Sequence, residues 1–219
     1  MNHTLALLDF LKPEDLIEKG GLALLTLIIF AESGLLIGFF LPGDSLLFVA
    51  GFLSSSAGGH KLPALPIVLA CVFAAAVLGD QVGYLFGRKV GPALFTRPDS
   101  RLFKQQNVTK ARAFIDKHGP KTIVLARFVP IVRTFAPIVA GVGGMKYSTF
   151  VRYNVLGGLL WGVGVTTLGY FLGEIDVVKN NIEIAILVVV AISLVPVAFE
   201  VLKHRRQAAL SASRSADRS

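Results

Sequence analysis

Four ionisable residues stand inside stretches that are otherwise apolar. Glu32 and Asp44 lie in "FAESGLLIGFFLPGDSLLFVAG" (30–51), and Arg127 and Arg133 lie in "VLARFVPIVRTFAPIVAG" (124–141). A charge near the middle of a bilayer costs about 2.5–3.5 kcal/mol, so such residues pair with one another or face a wet cavity. Two acids and two bases are matched in number. Arginine stays protonated and offers phosphate oxygens a planar fork. A carboxylate removed from water holds its proton to higher pH and can exchange it near neutrality. The set therefore suits an anion site with proton coupling, in which the acids hold the arginines until an anionic ligand displaces them. The plainer reading is charge pairing that only holds two segments together. Arg127 and Arg133 are six positions apart, which would put them on different faces of a straight helix. Pro130 stands between them, so no shared face is assigned.

The elements that must carry these residues are membrane elements. Of 219 residues, 53% are hydrophobic and 16% charged, against about 25% charged in soluble domains. Residues 62–79, 153–173 and 184–199 contain no charge, and a helical span needs roughly 20 predominantly apolar residues. The N-terminus is acidic (Asp9, Glu14, Asp15, Glu18) and shows no small-residue cleavage pattern, so the chain is expected to be integral and uncleaved. The net charge of +8 fits positive loops on the cytoplasmic side rather than nucleic-acid binding. The single Cys71 has no partner within the chain for a disulfide and reads as a packed thiol. Metalloprotease, nucleophile-elbow, Walker and Cys/His metal patterns are absent from the sequence. No enzyme activity, cofactor or metal is expected.

Pro13 suits the start of a short surface helix. The 21–53 stretch is interrupted by Pro42 and Gly43, and the 124–141 stretch by Pro130 and Pro137; these are expected to be breaks in the helices. The tail from Lys203 is basic, which places the C-terminus in the cytoplasm, and residues 206–219 are expected to be disordered. Traced back from that tail, both flanks of the arginine segment lie on the cytoplasmic side, so the segment enters and leaves by one face. The 21–53 stretch would dip from the other face. The expected fold is all-α and polytopic: about three full spans and two opposed re-entrant hairpins in an inverted repeat. A membrane unit would cover 1–205, with halves at about 12–90 and 97–174 and an extra helix at 182–202. "GYLFGR" (83–88) recurs as "GYFLGE" (169–174), and "VAG" (49–51) recurs at 139–141. Inverted repeats with broken helices are a transporter pattern.

Asp80, Tyr84 and Arg88 follow one another at helical spacing and are expected to support the site, with Asp80 bonding Tyr84 or a hairpin residue. Gly79, Gly83, Gly87 and Gly91 run beside them as a helix-packing stripe. Asn154 and Trp161 read as packing residues or interfacial anchors.

The 30–51 and 124–141 stretches, with "GDQVGYLFGR" (79–88) and "YNVLGGLLW" (153–161), resemble the DedA family, the bacterial branch of the VTT or SNARE-associated domain superfamily. The resemblance covers about residues 10–205. It implies a bacterial inner-membrane protein that moves polar lipids between leaflets, undecaprenyl phosphate in some members and phospholipids in eukaryotic relatives. It implies support of membrane energetics, division and resistance to cationic peptides and alkaline pH. The family's essential acids match Glu32 and Asp44, and its essential arginines match Arg127 and Arg133. The expectation is a flippase whose partners are membrane lipids, through their phosphate headgroups, and protons. Arg127 and Arg133 would bind the phosphate, and Glu32 and Asp44 would couple to protons. A proton-coupled cation or anion antiporter and a non-transporting scaffold are the alternatives. Neither the lipid, the energy source nor the oligomeric state, homo-oligomer included, follows from the sequence.

Overall fold

The structure is a computed structural model that describes residues 13–35, 43–95 and 119–181, together with Ile184 and Val188. Among the described residues every regular element is helical. The basic residues from Arg97 to Lys117, Pro42 and the tail from Lys203 lie outside them, as does the helix expected at 182–202 apart from Ile184 and Val188.

Helix α1 spans Pro13–Gly34 and is bent at Gly21, whose φ of 60° only glycine adopts freely. Pro13 opens it as expected. Helix α2 (Gly43–Ser54) follows, then the loop to Leu62, then α3 (Leu65–Phe95). In the second half α4 (Lys121–Ala126) stops at Arg127, and α5 (Pro130–Val142) starts after the extended Val129. Pro130 at the first helical turn accounts for this start, because its missing N–H would have no partner there anyway. Pro137 breaks nothing: it lies inside α5. Its ring nitrogen only leaves the carbonyl of Arg133 without a donor from one turn on. Helix α6 (Tyr147–Gly158) continues through one π turn, Leu159–Val163, into α7 (Gly164–Gly173), and the short α8 (Asp176–Lys179) follows.

Two continuous helical stretches among the described residues are long and apolar enough to cross a bilayer, Leu65–Val90 (26 residues) and Tyr147–Gly173 (27 residues). At 1.5 Å per residue either is about 40 Å long, more than the roughly 30 Å of hydrocarbon. Their outward side chains are apolar, among them Ile67, Leu78, Phe86, Leu160, Leu168 and Phe171. The interior, by contrast, buries Glu32, Asp80, Arg127, Arg133, Thr134 and Asn154. A soluble fold does not expose so much apolar surface around so polar an interior.

Glycines let the helices cross backbone to backbone. At the α2–α7 crossing, a Cβ on Gly51 would fall on Thr166 O and 2.7 Å from Tyr170 N, and one on Gly169 would fall on Phe48 O. At the α5–α3 crossing, a Cβ on Gly141 would fall on Tyr84 O and 2.7 Å from Arg88 N, and one on Gly87 would fall on Ile138 O. The offsets are identical: each glycine faces a carbonyl three residues before its opposite number. The short helices move by 90 positions (51 to 141) and the long ones by 82 (87 to 169), one turn less than the 86 of the sequence match. Thus α2 rests on α7 and α5 on α3. Gly34 and Gly79 make a third close approach, α1 on α3, with a Gly34 Cβ 2.6 Å from Gly79 O.

Candidate functional site

The two interrupted segments bring four helix ends together. Glu32 stands near the end of α1, Asp44 in the first turn of α2, Arg127 at the end of α4 and Arg133 in the first turn of α5. A helix N-terminus is partly positive and its C-terminus partly negative. Asp44 and Arg127 agree with that field. Glu32 and Arg133 oppose it, so tertiary partners must hold them.

Arg133 is the partner of both acids, Glu32 and Asp44. Its Nη2 donates to Glu32 Oε1 in a short contact, and its Nη1 donates to Asp44 Oδ1 at 2.8 Å. Nη1 also reaches the carbonyl of Arg127 at 3.4 Å. One guanidinium thus spreads its two amino groups over two carboxylates, the geometry by which arginine grips two oxygens of an oxyanion. Gly43 is needed beside this pair, because a Cβ there would fall on the Glu32 carboxylate. Gly43 begins α2 rather than merely breaking the chain.

Arg127 is held differently. Its Nη2 donates to Asp80 Oδ2 and to Asn154 Oδ1, both at 2.5 Å, and approaches Ala76 O at 3.3 Å. Asn154 is oriented by its own Nδ2, which donates to Val77 O at 3.0 Å. The aliphatic stem of Arg127 lies on Gly157, where a Cβ would come within 2.7 Å of Cδ. The expectation that Glu32 and Asp44 would be shared between the two arginines is therefore corrected. Both acids serve Arg133, and a third acid, Asp80, serves Arg127.

Trp161, in the π turn, touches both arms of the cluster. Its Nε1 donates to Asp44 Oδ1 at 2.6 Å. The ring centroid lies 4.4 Å from Arg133 Cζ and 5.9 Å from Arg127 Cζ, within cation–π range. Trp161 and Asn154 are thus members of the charged cluster, not membrane-interface anchors. The signal available in the sequence was weak: an amide and an indole on an apolar span suit anchoring equally well. Arg127 Nε and Nη1, Arg133 Nε, Glu32 Oε2 and Asp80 Oδ1 are buried without a hydrogen-bond partner among the described residues.

Of the three supporting residues, only Asp80 reaches the cluster. Tyr84 is buried away from it, donates to Met145 O at 2.6 Å and stacks on Phe150 at 4.4 Å. Arg88 donates to the Tyr84 hydroxyl at 3.3 Å. Tyr84 and Arg88 anchor the turn after α5 to α3. The opposite end of the fold has its own tether: Ser56 donates to Glu174 Oε1 through its hydroxyl at 2.6 Å and its amide at 3.2 Å.

A family model for the VTT domain matches residues 41–171. Protein DedA of Escherichia coli strain K12 is 47% identical over 190 residues, 87% of this chain and 86% of that protein. An uncharacterized membrane protein of Mycobacterium tuberculosis is 48% identical over 83% of this chain and 80% of its own length. The inner membrane protein YghB of Escherichia coli K12 is 37% identical over 70% and 68%. No solved structure matches the chain.

Proposed function

This chain belongs to the VTT domain family, and we propose that it is a translocase carrying a phosphate-bearing lipid across a bacterial inner membrane. The observation that carries this reading is the occupancy of Arg133. Glu32 and Asp44 put one oxygen each on its two amino groups, where two oxygens of a phosphate would bind. An incoming headgroup replaces the carboxylates like for like, while its apolar chains stay in the bilayer. Undecaprenyl phosphate and phospholipids both fit this requirement. On this reading the α1–α2 and α4–α5 segments are re-entrant hairpins that enter from opposite faces, related as an inverted repeat. The matched glycine crossings support that relation.

Charge balance supports proton coupling on this reading. Three carboxylates (Glu32, Asp44, Asp80) pair with two guanidiniums (Arg127, Arg133). If all are ionised the cluster carries one excess negative charge, since three minus two is one. A single bound proton neutralises it, and each added negative charge of a ligand calls for one more. In a poorly solvated interior such neutrality is strongly favoured.

The test is reconstitution in liposomes. A labelled phosphate lipid should change leaflet with wild-type protein, faster under an imposed proton gradient. Arg133→Ala should abolish the movement. Equal leaflet exchange in Arg133→Ala and wild type, or none in wild type, would sink the reading. The scaffold alternative has one observation in its favour: each of the five charged side chains stands in an ion pair. It expects no leaflet exchange at all.

A further inference from the structure

The cluster is not equally accessible all round. The side chains of Glu32, Asp80, Arg127 and Arg133 are 1–3% exposed, whereas that of Asp44 is 14% exposed. Asp44 therefore marks the side from which a ligand or water reaches Arg133. For a phosphate to bind there, Asp44 must release Arg133. A carboxylate that loses its only cation in a low-dielectric interior is costly unless another donor keeps it.

The indole of Trp161 meets that requirement. Its N–H donates to the same Oδ1 that Arg133 holds, and its ring face lies 4.4 Å from the Arg133 guanidinium carbon. Asp44 also stands in the first turn of α2, where the helix field stabilises an anion. Trp161 lies in the π turn Leu159–Val163 and is 1% exposed, while Leu159 and Leu160 beside it are about half exposed. One inserted residue turns a helix by about 100°, and π turns recur at functional sites.

We propose that Trp161 is a positioning residue that retains Asp44 through its N–H and braces Arg133 with its ring, so that Asp44 can yield Arg133 to a phosphate oxyanion. The inference deepens the phosphate-lipid reading and rests on it for the ligand class. Trp161 is the only tryptophan in the chain, so its emission reports this site alone.

The full chain in dodecyl maltoside micelles, which carry no phosphate, is titrated with phosphatidic acid in one arm and inorganic phosphate in another. A saturable change in Trp161 emission is expected. A response to phosphatidic acid alone assigns the phosphate to a headgroup, and one to both assigns it to the free ion as well. No response in either arm overturns the proposal. In liposomes, Trp161→Phe keeps a ring over Arg133 but loses the N–H. Hydrogen bonds to charged groups are worth enough that maximal translocation should fall about tenfold or more. The lipid concentration for half-maximal rate should change little, because Arg133 is untouched. Full-rate translocation by Trp161→Phe overturns the proposal whatever the emission does. An emission response in a wild-type protein that moves no lipid would instead overturn the translocase reading and leave the Trp161 assignment standing.

Discussion

Asp80 Oδ2 and Arg127 Nη2 lie 2.5 Å apart across 47 positions of sequence, with neither side chain more than 2% exposed. The pair fastens the break between α4 and α5 to the middle of a spanning helix. Arg127 keeps one carboxylate and one amide fixed by the backbone of α3, whereas Arg133 holds two carboxylates, one of them reachable from outside. The two arginines are therefore not equivalent. Arg127 is built in, and on the proposed reading Arg133 is the one whose partners exchange.

Removing Asp80 should be costly. Breaking a buried pair leaves the remaining charge unpaired, a loss of about 3–5 kcal/mol. Asp80→Ala should lower the unfolding temperature in detergent markedly, and Asp80→Asn less, since the amide oxygen still accepts from Arg127. Equal unfolding temperatures in Asp80→Ala and wild type would mean the pair is not formed in the membrane.

Arg133→Lys separates charge from geometry. The positive charge survives, but a single ammonium has no rigid fork to divide between Glu32 and Asp44. Unfolding temperature should fall only modestly, while leaflet exchange in liposomes should drop about tenfold or more, the weight of one charge-assisted hydrogen bond. A lysine variant with the wild-type rate would show that bidentate recognition is unimportant.

The two glycine crossings should respond alike to added bulk. Gly51→Val and Gly141→Val drive side-chain atoms into helix backbone that has little room to move, and each should destabilise by about 1–3 kcal/mol or more. Gly164 has nothing within 4 Å of its Cβ position. Gly164→Ala should leave stability unchanged or slightly raised, because alanine favours helix by up to about 1 kcal/mol. Thermal unfolding of the three variants side by side makes the comparison. A cost confined to one crossing would contradict their equivalence.

The Ser56–Glu174 tether should depend on pH. The Ser56 hydroxyl, and then its amide, hold the exposed Glu174 carboxylate below its ordinary value of 4.5, more than the little desolvation raises it. A carboxyl lowered in the folded state contributes stability that is complete above its unfolded value. That contribution is lost as pH falls through the folded value. Protection of the Ser56 amide against hydrogen exchange should exceed that of Glu174→Gln at neutral pH. The difference should disappear in acid below 4.5. A difference unchanged into strong acid would rule out the carboxylate as the acceptor.

Much of the architecture was legible in the sequence. Long uncharged runs located the 65–90 and 147–173 helices, since apolar length is the direct requirement of a bilayer. Pro130 marked a real helix start, whereas Pro137 did not mark an end. A proline removes one hydrogen bond, and whether the helix stops there depends on neighbours that the sequence does not display. The repeated "VAG" pointed to equivalent glycines at 51 and 141, but the "GYxxG" match was one turn out of register with the crossing. Helical packing repeats at every turn, so a short match cannot choose among turns.

By itself the sequence determined that this is a membrane protein with an interior charge problem. It named Glu32, Asp44, Arg127 and Arg133 because a charge in an apolar run is conspicuous and has to be neutralised. Only the tertiary structure decided which charges neutralise which. Pairing depends on the approach of helix ends that lie far apart in sequence, so Glu32 and Asp44 both came to Arg133, and Asp80 came to Arg127. It also drew in Asn154 and Trp161, uncharged residues that any span can carry on its surface. Their part in the site follows from the helix face and π turn that aim them inward, a matter of three-dimensional register rather than of composition.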